Sequence, residues 1–150
     1  MALHAHDERD VFVTSSDIET AAAGSRLAAH LEPGGIVLLT GPLGAGKTVF
    51  VRGLAEGLGI DPRNVHSPSF TIVSEYGPVP GGRRLVHVDL YRIDNPAEIE
   101  DLGLSDYLSA GCVMAVEWGD KLPAGLRAGA IRVVIEDGGA ENRRISIERP

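Results

Sequence analysis

With 21 acidic against 14 basic residues in 150, the chain carries a net charge of −7 and lacks the basic surface that broad, unaided nucleic-acid binding requires. The single cysteine, Cys112, excludes an internal disulfide and suits a reducing compartment, and no apolar run reaches the roughly 18 residues of a membrane span. The length allows one domain with a real core, and the polar start "MALHAHDERD" lacks the apolar stretch of a secretory signal, so a cytoplasmic protein with no membrane and no DNA partner is expected.

In chain order, residues 1–10 read as a loose tail and residues 11–150 as one domain. "VFV" (11–13) is a short strand. "SSDIETAAAGSRLAAHL" opens with a capping box, Ser16 with Glu19, and continues as an amphipathic helix until Pro33-Gly34-Gly35 ends it. "GGIVLLT" contains the continuous apolar run of a buried parallel strand. It leads into "GPLGAGKT" (41–48), which fits G-x-x-x-x-G-K-S/T, the phosphate-cradling P-loop. Phe50, Leu54 and Leu58 then recur every four residues along a helix that stops at Gly59.

The residue types suit the chemistry. Glycines let backbone N–H groups approach phosphates without a Cβ in the way, and the positive end of the following helix faces the same anion. The loop and first turn, Leu43, Gly44, Ala45, Gly46, Lys47, Thr48 and Val49, form the expected nucleotide cradle. Lys47 is expected to reach the β- and γ-phosphates and to serve catalysis, and the Thr48 hydroxyl to ligate Mg²⁺. ATP and Mg²⁺ are thus the expected cofactors. Lys47 is one of only two lysines, with Lys121, in a sequence that otherwise writes its positive charge as arginine.

Beyond the loop, "HSPSFTIVSEY" (66–76) begins as a Pro-broken loop and becomes extended at residues 70–73. "GPVPGGRR" is a turn, and "LVHVDLYRI" (85–93) alternates like a strand. "NPAEIEDLGLSDYLSA" reads as one helix with Asn95 as N-cap and Pro96 at its first position. "CVMAVEWG" (112–119) is a second apolar strand, and "AIRVVIE" and "RRISIE" flank "DGGAEN" as a hairpin. The whole predicts a three-layer α/β P-loop fold with a mixed sheet and antiparallel hairpins.

Two apolar strands end in an acid, "LVHVD" in Asp89 and "VMAVE" in Glu117. A P-loop needs a carboxylate near Mg²⁺, and a second one can orient or deprotonate the attacking water; spacing alone does not say which does which. His66 and His87 lack metal-ligand spacing and read as loop and strand residues. The pairs Arg83 with Arg84 and Arg143 with Arg144 are candidates for a local arginine patch, but read first as solvated hairpin residues.

"GPLGAGKT", "SPSFTIVSEY", "HVDLYRI" and "VEWG", in that order and separation, closely resemble the bacterial TsaE (YjeE) family over roughly residues 11–148. These are small P-loop ATPases required for threonylcarbamoyladenosine modification of tRNA. The resemblance implies that Thr48 and Glu117 bind Mg²⁺ and that Asp89 is the second acid near the γ-phosphate. It implies too that Trp118 lies close to the nucleotide, that adenine is met by Ser16 and Asp17 and by the hairpin near Arg144, and that "SPSFTIVSEY" is a nucleotide-sensitive switch. Ser69 stands where the family usually has threonine and keeps the hydroxyl. The implied activity is an ATPase switch on a TsaD and TsaB complex, which would hold the tRNA. Two other readings stand beside it: a small-molecule kinase, which needs a lid not visible here, and a nucleotide-gated binding module without useful turnover.

Overall fold

The computed structural model describes residues 9–42, 44, 46–68, 72–78, 80 and 83–150. Leu43, Ala45 and Ser69, all singled out above, lie outside the described residues, as do Phe70 of "SPSFTIVSEY" and residues 1–8 of the expected tail. The strands are β1 (Arg9–Thr14), β2 (Ile36–Thr40), β3 (Val73–Tyr76), β4 (Leu85–Asp89), β5 (Val113–Glu117), β6 (Ile131–Asp137) and β7 (Arg143–Glu148). They form one seven-stranded sheet in the order β1-β7-β6-β2-β5-β4-β3. The four central strands run parallel, while β3 pairs antiparallel at one edge and β7 and β1 at the other.

Helices cover both faces. On one lie α1 (Asp17–Ala28) and α2 (Lys47–Gly57), with Leu27, Phe50 and Leu54 packed on Val37, Leu39, Val113 and Ile145. On the other lie α3 (Pro96–Asp101), α4 (Leu104–Ser109) and α5 (Ala124–Ala128), with Ile99 and Leu104 packed on Leu38, Val86, Val88, Met114 and Val116. Cys112 is a buried core residue, as its apolar setting implies. No helix among the described residues is long and apolar enough to cross a membrane.

The expected architecture is present, with local corrections. Strand β1 starts at Arg9, paired with Glu148, two residues before the apolar "VFV". The Ser16 hydroxyl does cap α1 by accepting the Glu19 N–H, but the Glu19 carboxylate reaches Ser15 rather than Ser16. Strand β4 ends at Asp89 and does not alternate: Leu85, Val86, His87 and Val88 are all fully buried because helices cover both faces. The helix expected from Asn95 onward is two short ones, broken where Gly103 adopts φ 68°.

Helices α1 and α2 cross so closely that a Cβ on Gly53 would collide with the Ala21 carbonyl, and one on Gly24 with the Phe50 carbonyl. Gly125 in α5 has open space around the same position. Gly53→Ala should therefore destabilise the fold by about 1–3 kcal/mol or more through overpacking. Gly125→Ala should stabilise it by up to about 1 kcal/mol through helix propensity. Urea midpoints that move in the same direction for both variants would contradict this packing account.

Candidate nucleotide site

Parallel strands β2, β5 and β4 end side by side, with Leu39 opposite Glu117 and Asp89 opposite Glu117. This gathers the loop after β2 and both strand-end acids at the carboxyl edge of the sheet, where open α/β sheets bind ligands. Gly44 and Gly46 both take positive φ, 81° and 98°, and Gly46 starts α2 with no side-chain cap. The first N–H groups of α2 thus face outward without a side-chain acceptor, an arrangement that suits an anion.

A cavity of about 240 Å³ lies against this helix start, lined by Asp17, Gly44, Gly46, Lys47, Thr48, Val49 and Arg143. A second, of about 350 Å³, borders Lys47 from the other side and is lined by Thr40, Gly41, Trp118 and Glu136 among others. A larger cavity of about 500 Å³ between α3, α4 and α5 carries Glu100 and Asp106 with no basic lining residue, which makes it a poor place for phosphates.

Lys47 extends between the two smaller cavities. Its Nζ lies 3.2 Å from Glu117 Oε1, and Glu117 Oε2 lies 2.9 Å from His87 Nε2. His87 is fully buried, and its Nδ1 has no hydrogen-bond partner among the described residues. Burial is the largest influence on Glu117 and alone would push its carboxyl up. The hydrogen bond and charge of His87, with the charge and hydrogen bond of Lys47, outweigh it and leave the carboxyl below its ordinary 4.5. A folded-state value lowered in this way contributes stability above the unfolded value, which is lost as pH falls through the lower folded one. Asp89 stands apart from this chain; its Oδ1 accepts the Tyr91 N–H at 3.0 Å.

The predicted residues are thus partly brought together. Asp17, Gly44, Gly46, Lys47, Thr48 and Val49 share one cavity, and Lys47 joins Glu117. Ser16 is next to the cavity but spends its hydroxyl on the α1 cap. Trp118 lines the second cavity and is 46% exposed, its ring 5.1 Å from that of exposed Tyr91 and tilted 51° to it. Arg144 is exposed on β7 and lies 3.8 Å from Glu136, which lines the second cavity. Its neighbour Arg143 is the buried one, donating to the Ala140 and Asn142 carbonyls and, at 3.4 Å, to the Gly44 carbonyl. The reading of that pair as solvated fails for Arg143. Its signal was the period of two: Arg143 shares a face of β7 with buried Ile145 and Ile147. His87, taken as a strand residue, is also the partner that holds Glu117.

Comparison with known proteins finds relatives over most of the chain. A family model described as "Threonylcarbamoyl adenosine biosynthesis protein TsaE" matches residues 14–145. The tRNA threonylcarbamoyladenosine biosynthesis protein TsaE of Bacillus subtilis is 43% identical over 128 residues, 85% of this chain and 78% of that one. Its counterpart in Treponema pallidum is 36% identical over 138 residues, 90% of this chain and 97% of that one. The crystal structure of Bacillus subtilis YdiB superposes with a TM-score of 0.70 at 33% identity, covering 94% of this chain and 85% of that one.

Proposed function

The chain belongs to the TsaE family of threonylcarbamoyl adenosine biosynthesis proteins, and from that premise we propose that it binds and hydrolyses MgATP to switch the state of a TsaD and TsaB complex during tRNA modification. The observation that carries the nucleotide reading is the Lys47–Glu117 pair, 3.2 Å apart beside an uncapped helix start. A lone triphosphate would leave its charge unmatched. Lys47 supplies one cation by turning from Glu117 to the phosphates, and Glu117 is then released with a full negative charge.

The residues present fit a Mg²⁺ that arrives with the nucleotide. Among the described residues no group of three His, Cys, Asp or Glu is arranged to hold a metal alone. Mg²⁺ suits a sparser set, one or two protein oxygens with phosphates and waters. Thr48, on the cavity wall, and Glu117, which already faces a cation, would hold it. The ion would neutralise charge developing on the phosphate oxygens. His87 keeps Glu117 oriented from behind, and Asp89 orients or accepts a proton from the attacking water.

With Lys47 between two open cavities and no lid over them among the described residues, the attacking water is poorly held by this chain alone. Partner contact completes the site, and the segment 67–76 is where that contact runs. Within it Phe70 lies outside the described residues, and Glu75 is exposed on β3, accepting the Tyr107 hydroxyl at 2.8 Å. The test is phosphate release from ATP by this protein alone and with TsaD, TsaB and tRNA. Slow release alone, faster release with the complex, and binding to the complex that differs between ATP and ADP are expected. Rapid phosphoryl transfer to a small molecule by the isolated protein would overturn the reading in favour of a kinase.

A further inference from the structure

The second of the two lysines has an unusual setting. Lys121 lies in the short 3₁₀ turn Gly119–Lys121 that follows Trp118. Its Nζ donates to the carbonyls of Leu90, Tyr91 and Ile93 at 3.1, 3.0 and 2.7 Å. An ammonium has three donors, and all three are spent on one stretch of backbone. That stretch is the segment after β4, whose first residues also meet the two acids: the Leu90 N–H donates to the Glu117 carbonyl at 3.1 Å, and the Tyr91 N–H to Asp89 Oδ1 at 3.0 Å.

We propose that Lys121 is a positioning residue for Asp89: it pins residues 90–93 to the turn after Glu117, and the pinned Tyr91 N–H sets the Asp89 carboxylate. A planar guanidinium cannot direct its fork onto three convergent carbonyls, which accounts for a lysine here in a chain that otherwise favours arginine. The Tyr91 ring of the pinned segment also lies 5.1 Å from the Trp118 ring of the turn, so the two meet at the edge of the site.

The kinetic part of this inference rests on the ATPase reading; the structural part does not. Lys121→Met and Lys121→Arg in the full chain, each alone and combined with Asp89→Asn, separate them. In Lys121→Met, amide exchange at Leu90 and Tyr91 should rise on the order of tenfold or more while Leu54 in α2 keeps its protection. Single-turnover hydrolysis at saturating MgATP should fall about 10- to 100-fold with ATP affinity held within about threefold. In the Asp89→Asn background Lys121→Met should cost no further rate, because both changes act through one carboxylate. Lys121→Arg should fail to restore either readout, and it supplies the same measurements if the methionine variant does not fold. Unchanged Tyr91 exchange in a folded variant, or rate losses that multiply in the double variant, would overturn the proposal. If the unsubstituted protein releases no phosphate even with its partners, the ATPase reading falls, and the exchange measurement still decides the role of Lys121.

Discussion

Lys47→Ala is expected to abolish tight ATP binding and, with it, hydrolysis. The side chain is only 17% exposed and is the ammonium seated between the two cavities at the start of α2. Truncating one partner of a buried, hydrogen-bonded charge pair between protein and ligand costs about 2–5 kcal/mol of binding, an affinity loss of about 30-fold to several thousand-fold. The ligand-free protein should report the same change. Glu117 would keep His87 at 2.9 Å but lose the cation at 3.2 Å, so its carboxyl should titrate higher than in the unsubstituted chain. Calorimetric titration with ATP and a carbon-detected NMR titration of Glu117 are the two measurements. A folded Lys47→Ala protein with unchanged ATP affinity would remove the nucleotide reading altogether.

Much of this site was legible in the sequence because a P-loop is a local device. Strand, glycines, lysine and helix are consecutive, so "GPLGAGKT" after "IVLLT" places Lys47 and Thr48 without knowledge of the rest of the chain. The acids were legible as strand ends for the same reason. His87 was not, because its partner lies on another strand. Only the parallel β4–β5 register, with His87 opposite Ala115 and Asp89 opposite Glu117, brings the imidazole behind the Glu117 carboxylate. In a strand covered on both faces, alternation carries no information about which side a residue faces, so "LVHVD" gave no direction for His87.

Arg143 illustrates the opposite case. On β7 the alternation was present: it sets Arg143 on the face of buried Ile145 and Ile147 and leaves Arg144 on the other, exposed. The break at Gly103 was hidden by a different effect. The sequence from Asn95 to Ala110 satisfies helical periodicity throughout, and a single glycine in it is tolerated by that pattern. Its left-handed conformation follows from how α3 and α4 each reach the sheet, with Ile99 and Leu104 in the same apolar cluster.

The two acids should separate in their variants, and the structure gives each a distinct reason. Asp89 contacts the rest of the protein through an oxygen that accepts the Tyr91 N–H. Asparagine keeps such an oxygen, so Asp89→Asn should leave the segment and ATP binding nearly intact while removing the charge that serves the attacking water. Hydrolysis should then fall about 10²–10⁴, the range for loss of a general base. Glu117 instead faces a cation: it is largely buried, with Lys47 on one oxygen and the His87 imidazole on the other. Glu117→Gln keeps the shape but takes the only negative charge from between two cationic or potentially cationic groups, so the Mg²⁺ needed for half-maximal hydrolysis should rise about 10- to 100-fold. Hydrolysis by both variants, titrated with Mg²⁺ at saturating ATP, reads the difference. A raised Mg²⁺ requirement in Asp89→Asn with an unaltered one in Glu117→Gln would exchange the two roles. It would also mean that the buried His87–Glu117 pair orients the base for water, and that the more open strand end at Asp89 holds the metal.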